Sequence, residues 1–487
     1  MMRLGQASVI ASLFLLASAA TASAGCAWVS WEHSYEVWVD SNKANPDALK
    51  VADTLDARFT QSGPVGPLHR VPLIVKDNYE TTDMPTAAGS LSLKGTMTKT
   101  DAFQIRKLRE ACAIMLAKSN MAEFAFDPFE TVNSLLPGYT RNPYALDRVT
   151  AGSSGGTAAA VAANFGAVGL GTDTGNSIRG PSSHTSLVGI RSTMGLTSRD
   201  GIVPLFLDKD IGGPMARTVA DAVAIFDVIA GYDPADPVTA ASQGKRADSY
   251  AKFLDKDGAR GTRLGVVRQL FTPQNTDPDV MKRMEQALAD LRRFGAQIID
   301  PVHIAEIDNI PPAMLFCLRF KFDINDYLPR LGPSAPLKTL EDIIKSAKFH
   351  PSIEKRLLDR QAEPPLAENQ RCMQVAQNTQ RLRDAVQKVM DDSTLDALVY
   401  PTWAFPPRMI GDLNTPHGNN SPRLSPPTGF PAITVPMGLV RDSLPVGLQV
   451  FGRAWSEPTL IKIVYAYEQA TRHRRPPAST PPLPARP

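Results

Sequence analysis

Two glycine-rich segments of this sequence contain serines that could perform acyl-transfer chemistry. Residues 151–157 contain Ser153 and Ser154, and residues 171–180 contain Ser177. Glycine lets main-chain N–H groups approach a ligand without interference from a Cβ atom, and converging N–H groups bind anions. Such a cluster suits the oxyanion of an acyl-transfer transition state, where one well-placed donor lowers the barrier by roughly 3–4 kcal/mol.

A flexible loop or a phosphate-binding loop is the alternative interpretation of these glycines. A phosphate-binding loop of the usual kind ends in Gly-Lys-Ser or Gly-Lys-Thr. Neither segment contains that ending. Phosphate binding is therefore disfavoured, whereas a flexible loop remains open as the alternative to nucleophilic chemistry, because a glycine-serine segment alone is a weak signal.

A lysine supplies a possible base for these serines. Lys76 follows the apolar run of residues 71–75, which is typical of a buried strand. A lysine base must be neutral, which requires its pKa to fall from about 10.4 toward 7–8, a shift that corresponds to roughly 4 kcal/mol. Burial beside hydroxyl groups could produce that shift. The alternative is a solvated lysine at the end of a strand.

The seven histidines do not indicate another hydrolase mechanism. None lies beside a Gly-x-Ser-x-Gly turn, and no His-Glu-x-x-His motif occurs. A Ser-His-Asp site and a zinc site are therefore disfavoured, and no metal is expected. His184 and His417 could line a pocket, although a structural role is the simpler interpretation.

Taken together, the motifs resemble the amidase signature family. The resemblance rests on Lys76-Asp-Asn, on residues 152–156, on residues 171–179 and on the 24-residue separation of Ser153 and Ser177 (177 − 153). It covers residues 65–230 closely and residues 395–475 well. The family implies an α/β fold in which a mixed, largely buried central β-sheet is covered by helices on both faces, with a more helical insertion.

The resemblance also implies a role for each residue of the site. Ser177 corresponds to the nucleophile, Ser153 to the bridging serine and Lys76 to the base of a Ser-cisSer-Lys triad, without metal or organic cofactor. The family implies an oxyanion hole made by the N–H groups of Thr174, Gly175, Asn176 and Ser177, and we expect Ser154 to support the serine–lysine network. Asp173 and Arg179 flank the nucleophile turn, and we expect them to form a structural pair that holds it; the alternative is a solvated Arg179. Asn176 departs from the glycine that many members carry, and its side chain either narrows the acyl pocket or bonds to neighbouring loops.

The strands and helices of the chain must position these residues. Their alternation along the sequence indicates an α/β architecture. Strands are predicted at residues 71–75, 167–172, 263–269, 297–300, 398–400 and 432–435. Helices are predicted at residues 101–118, 155–165 and 277–294, and from the capping-box pattern of residues 218–221. We expect one domain over residues 25–475, a helical subdomain or cap at about 240–390, and a proline-rich disordered tail at 476–487.

The N terminus predicts export. Arg3 precedes an apolar run over residues 9–20, and residues 22–24 are small, so we expect a signal peptide that is cleaved before Gly25 and a secreted or periplasmic protein. A lipid anchor at Cys26 is disfavoured because Ser23 stands where a larger aliphatic residue is usual. Disulfides are permitted in such a compartment, but the sequence leaves their pairing open.

The overall charge indicates no nucleic-acid partner, because 52 Lys and Arg residues nearly balance 49 Asp and Glu residues. No stable membrane insertion is expected, and the oligomeric state is open, with a homodimer as one possibility. We expect a secreted amidase with a small-molecule amide substrate, whose pocket includes Phe126, Leu135, Phe316 and Trp403. The alternatives are an esterase or aryl acylamidase, an inactive binding protein, and the glutamine-hydrolysing component of an amidotransferase.

Overall fold

The structure is a computed structural model that describes residues 44–136 and 138–480. The predicted signal peptide, Cys26 and residues 481–487 of the predicted tail lie outside the described residues. None of the helices in the described ranges combines the length and the apolar character needed to cross a membrane.

A ten-stranded mixed β-sheet forms the centre of the molecule. The strands are β1 (Pro72–Lys76), β2 (Ile114–Ser119), β3 (Arg141–Asn142), β4 (Ala145–Val149), β5 (Val168–Asp173), β6 (Val188–Arg191), β7 (Ile211–Ala216), β8 (Arg263–Val266), β9 (Gln297–Ile299), β10 (Ala397–Pro401), β11 (Ala432–Val440) and β12 (Leu444–Phe451). The order in the sheet is β2-β1-β5-β7-β6-β11-β12-β10-β8-β9, and β3 and β4 pair separately. The predicted α/β class with a mixed central sheet is confirmed.

The helices are distributed along the whole chain. They are α1 (Ala48–Ser62), α2 (Phe103–Glu110), α3 (Gly155–Ala162), α4 (Arg179–His184), α5 (Val219–Ile229), α6 (Pro278–Arg293), α7 (Ala305–Asn309), α8 (Phe320–Tyr327), α9 (Leu340–Ser346), α10 (Glu354–Gln361), α11 (Gln370–Asp392), α12 (Ser425–Thr428) and α13 (Glu457–Thr471). Strands β8 and β9 join the main sheet, and the segment between β9 and β10 contains α7 to α11.

All six predicted strands overlap observed strands, whereas one predicted helix is wrong in its extent. The helix expected over residues 101–118 ends at Glu110, and residues 114–119 form β2. Cys112 has a positive φ of 66°, which reverses the chain after the helix. The apolar run that follows then pairs in parallel with β1, from Pro72 opposite Ile114 to Lys76 opposite Ser119.

The two largest apolar clusters of the described residues lie on different parts of the molecule. The larger packs the main sheet against helices such as α5, α6 and α13. The second joins α8, α9 and α10 to residues 87–93, 121–126 and 203–206. A disulfide between Cys317 and Cys372 ties the segment before α8 to the first turn of α11. Cys112, which lies within the helix predicted over residues 101–118, is a free thiol that is only partly buried.

The sheet brings the candidate residues to one edge. β1 and β5 are parallel neighbours, with Val75 opposite Leu170. Parallel strands that end together present their carboxyl-terminal residues side by side, and ligands bind in the crevice at such an edge. Lys76 ends β1, and Thr172 and Asp173 end β5, so the first glycine-rich segment and the turn after β5 can meet there.

Candidate active site

Lys76 is fully buried and bonded to two hydroxyl groups. Its Nζ lies 2.7 Å from Ser153 Oγ and 2.8 Å from Thr172 Oγ1, and it also donates to the main-chain oxygen of Thr172 at 3.3 Å. Burial lowers the pKa of Lys76 from 10.5 to about 7, although the negative charges of Asp173 and Asp210 partly oppose this shift. Lys76 can therefore be neutral near physiological pH and accept a proton from Ser153.

Ser153 lies in the loop before α3, where the chain packs very closely. Its peptide bond with Gly152 is cis. A Cβ atom on Gly155 would lie 2.1 Å from Thr131 Oγ1, and one on Gly156 would lie 2.3 Å from the main-chain oxygen of Asn120. These two glycines are therefore required for close packing, and they fix the start of α3 and the position of Ser153.

Ser154 connects this loop to β5. Its Oγ donates to the main-chain oxygen of Thr172 at 3.3 Å and accepts from the N–H of Thr172 at 3.4 Å. Thr172 therefore contacts both Lys76 and Ser154. The sequence interpretation did not single out Thr172, although it lies within the segment that carries the family resemblance.

Ser177 lies in the turn between β5 and α4. It is 5% exposed, so only a small part of its surface is open to solvent. Within residues 44–136 and 138–480, the Ser177 Oγ makes no hydrogen bond to Ser153 or Lys76. Of the expected triad, only the hydrogen bond between Lys76 and Ser153 is therefore formed. Catalytic hydrogen bonds are often long without substrate and shorten in the complex.

The main chain of this turn is available as an anion site. In the described part of the chain, the N–H groups of residues 174–177 donate no hydrogen bond to a protein acceptor. The side-chain hydroxyl of Thr174 donates to the carboxylate of Asp210. This carboxylate also accepts from the N–H groups of Leu205 at 2.8 Å and Phe206 at 3.0 Å. Burial raises the pKa of Asp210 to about 6. No sequence pattern pointed to Asp210.

A buried ion cluster fixes the base of the turn. Asp173 Oδ2 lies 3.0 Å from Arg179 Nε, Asp173 Oδ1 lies 3.2 Å from Arg191 Nη1, and all three side chains are inaccessible to solvent. Burial alone would raise the pKa of Asp173, but the two guanidinium groups reverse this and hold it below its usual value. Arg179 also donates to the main-chain oxygen of Gly175 at 3.0 Å. The expected Asp173–Arg179 pair is present, and Arg191 is a third member that the sequence interpretation had not assigned.

Two of the four expected substrate-binding residues lie next to the turn. The ring of Phe316 would be 3.7 Å from a Cβ atom on Gly175, and Trp403 Nε1 donates to Asn176 Oδ1 at 2.9 Å. Phe126 belongs to the second apolar cluster, where its ring lies 4.7 Å from that of Phe320 between centroids, and both Leu135 and Phe316 pack against this cluster. The role of Phe126 and Leu135 in substrate binding stays a prediction.

The two histidines are aromatic neighbours of Trp403. The ring centroid of His184 lies 4.5 Å from that of Trp403, and the centroid of His417 lies 5.9 Å from it. Burial lowers the pKa of His184 to about 3, so its ring is neutral at physiological pH. Within the described residues, no group of three or more His, Cys, Asp or Glu side chains could hold a metal ion.

Comparison with known proteins gives a consistent result. The family model for amidases matches residues 38–461. The structure of native peptide amidase from Stenotrophomonas maltophilia is 38% identical, with a TM-score of 0.80 and 90% of each chain covered. A probable amidase of Arabidopsis thaliana is 34% identical over 462 residues, which cover 89% of this chain and 83% of that protein.

Components of amidotransferases are similar at the same level. A glutamyl-tRNA(Gln) amidotransferase subunit of Acinetobacter baumannii is 34% identical over 440 residues, and 87% of each chain is covered. The match to the family model, the mixed sheet and the long alignments together show that this chain belongs to the amidase signature family and is an amide-hydrolysing enzyme.

Proposed function

We propose that this enzyme is a secreted amidase that cleaves carboxylic amides through an acyl-enzyme on Ser177, with Ser153 and Lys76 as its proton relay. The observation that carries this proposal is the buried Lys76 amine, which lies 2.7 Å from Ser153 Oγ and has a pKa of about 7. A neutral amine in contact with a serine hydroxyl is a competent general base.

The relay supplies each proton that the reaction requires. Neutral Lys76 accepts a proton from Ser153 as Ser153 accepts one from Ser177, whose Oγ attacks the amide carbonyl carbon. The N–H groups of residues 174–177 stabilise the resulting oxyanion. When the C–N bond breaks, the proton returns along the relay to the departing nitrogen. Water, activated by the same relay, then hydrolyses the acyl-enzyme to a carboxylate.

A peptide amide is the substrate class that the relatives favour. The similar structure from Stenotrophomonas maltophilia is that of a peptide amidase. Phe316, beside Gly175, places an apolar ring next to the proposed oxyanion site. Such a ring would contact an apolar acyl group better than the polar side chain of glutamine.

A substrate panel tests this proposal. We expect the purified chain, without partner proteins, to release ammonia from N-acetylphenylalaninamide with a kcat/KM at least about tenfold above that for glutamine. An acyl anilide and the corresponding ester, measured beside it, separate the aryl acylamidase and esterase alternatives. A preference for glutamine would instead favour a role in an amidotransferase, and the absence of any turnover would favour an inactive binding protein.

The pH dependence of kcat/KM tests the role of Lys76. With a neutral amide substrate, kcat/KM should rise about tenfold per pH unit below pH 7 and level off above it, because only neutral Lys76 accepts a proton. Glu468, on α13, provides a matched control. Burial raises the pKa of its carboxyl to about 7, the same value to which burial lowers the pKa of Lys76. Glu468→Gln should keep the rising limb. A limb that disappears in this variant would contradict the assignment to Lys76.

Export is supported by two features. The N-terminal residues have the composition of a signal peptide. The Cys317–Cys372 disulfide is typical of proteins in oxidising compartments. Sequencing the N terminus of protein recovered outside the cytoplasm tests this part of the proposal, since a chain that still begins at Met1 would contradict cleavage before Gly25.

A further inference from the structure

The residue immediately before Ser177 has a fully engaged side chain. Asn176 Nδ2 donates to the main-chain oxygens of Gly152 at 2.8 Å and Pro128 at 3.2 Å, and its Oδ1 accepts from Trp403 Nε1 at 2.9 Å. The nitrogen of a side-chain amide only donates and its oxygen only accepts. Two carbonyl groups on one side and an indole N–H on the other therefore fix the orientation of the Asn176 amide.

These contacts join the loops that carry the two serines. Gly152 directly precedes Ser153, and Asn176 directly precedes Ser177, so the 2.8 Å bond links the two loops one residue away from each hydroxyl. In the described parts of the chain, the two serine hydroxyls are not themselves hydrogen-bonded to each other. The relative position of the loops therefore depends on neighbouring contacts such as this one.

Surrounding residues hold the Asn176 side chain in place. A Cβ atom on Gly180 would lie 2.2 Å from Asn176 Oδ1 and 2.4 Å from its Nδ2, so glycine at this position leaves room for the amide. The centroid of the Trp403 ring lies 4.5 Å from that of His184 and 6.3 Å from that of Phe129. Asn176 and Trp403 are each 2% exposed, so water competes little for their hydrogen bonds.

We propose that Asn176 is a positioning residue that holds the Ser177 turn against the Ser153 loop, with its amide oriented by Trp403 and accommodated by Gly180. The inference rests on the proposed function, because the geometry it maintains is that of the Ser177–Ser153–Lys76 relay. A displacement of about 1 Å between reacting groups can lower a rate about a hundredfold, so a contact this close to both serines should affect turnover.

Kinetics of variants test the inference. Asn176→Ala should lower kcat about tenfold to a hundredfold with KM nearly unchanged, and should slow the labelling of Ser177 by a fluorophosphonate to a similar extent. Trp403→Phe removes the indole donor and part of the buried ring but keeps the Asn176 amide, and it should lower kcat less. Trp455→Phe is the matched control, since Trp455 lies outside the site and its main-chain N–H donates to Thr193 Oγ1 at 2.8 Å. This control should keep the kcat of the unaltered enzyme.

A double-variant cycle tests the space that Gly180 provides. Gly180→Ala should displace the amide and lower kcat about as much as Asn176→Ala does. In an Asn176→Gly background the same alanine meets no amide, so it should change kcat by less than about twofold. An equal loss from Gly180→Ala in both backgrounds, or an Asn176→Ala enzyme with unchanged kcat, would overturn the inference.

A spectroscopic measurement separates this inference from the proposed function. In ¹⁵N-labelled protein, the indole N–H resonance of Trp403, assigned with Trp403→Phe, should move in Asn176→Ala because its acceptor is lost. An unmoved resonance would overturn the inference even if hydrolysis were normal. An unaltered enzyme that neither hydrolyses amides nor reacts with the fluorophosphonate would instead refute the proposed function, and the resonance would still report the contact.

Discussion

Ser177→Ala should abolish amide hydrolysis and leave the fold intact. The substitution removes the only atom that can form the acyl-enzyme in the proposed mechanism, and loss of a serine nucleophile typically lowers kcat by about 10⁴-fold to 10⁶-fold. Among the described residues, the Ser177 hydroxyl makes no hydrogen bond, so its removal leaves no buried polar partner unsatisfied. Ammonia release from a peptide amide and a urea unfolding curve measure the two parts of this expectation.

Two further variants make this result specific. Ser242→Ala alters an equally buried serine outside the site, bonded to Thr239 at 2.7 Å, and should keep its activity. Lys76→Ala should lose nearly as much activity as Ser177→Ala, because no other group contacts Ser153 Oγ as a base in the described structure. Substantial hydrolysis by either the Ser177 or the Lys76 variant would contradict the assigned roles.

Asp173→Asn should have the largest effect on stability. Asp173 carries the negative charge between Arg179 and Arg191, and none of the three side chains is exposed to solvent. Removal of one partner from a buried ion pair typically costs roughly 3–5 kcal/mol, because the remaining charge is left uncompensated. Here two guanidinium groups would lose their carboxylate, so the free energy of unfolding, measured in urea, should fall by about this amount.

An exposed ion pair offers the matched comparison. Asp359 bonds Lys355 at 2.9 Å, with side chains that are 49% and 86% exposed. Exposed pairs contribute little to stability. Asp359→Asn should therefore unfold almost like the unaltered protein. If Asp173→Asn unfolds at the same urea concentration as Asp359→Asn, the buried cluster does not stabilise the turn as described.

Local patterns located six of the twelve strands in the described residues, and they misplaced the end of one helix. The apolar runs at residues 71–75 and 432–435 lie in β1 and β11, since a buried strand needs a short apolar segment whatever its partners are. The helix expected over residues 101–118 failed because its periodicity continues past Glu110. Pairing with β1 and the positive φ of Cys112 decided that the following residues form β2.

The expected pocket residues show the same limit. Phe126, Leu135, Phe316 and Trp403 all have apolar side chains, so composition alone could not separate core from site. Tertiary packing placed Phe126 in the second apolar cluster, and it placed Phe316 both against that cluster and beside Gly175. It also showed that the Asn176 side chain bonds to the neighbouring loops, which is one of its two expected roles.

The sequence by itself determined where the reactive groups occur, because glycine-rich turns and a lysine at the end of an apolar strand are local features. It also carried the family resemblance, through Lys76, Ser153 and Ser177 at their characteristic spacing. Only the tertiary structure decided which groups surround them: Thr172 on Lys76, Arg191 on Asp173, Asp210 on Thr174 and Trp403 on Asn176. Up to 227 residues separate these partners. Such contacts, and the burial that shifts the pKa of Lys76, arise only when the strands pair and exclude water.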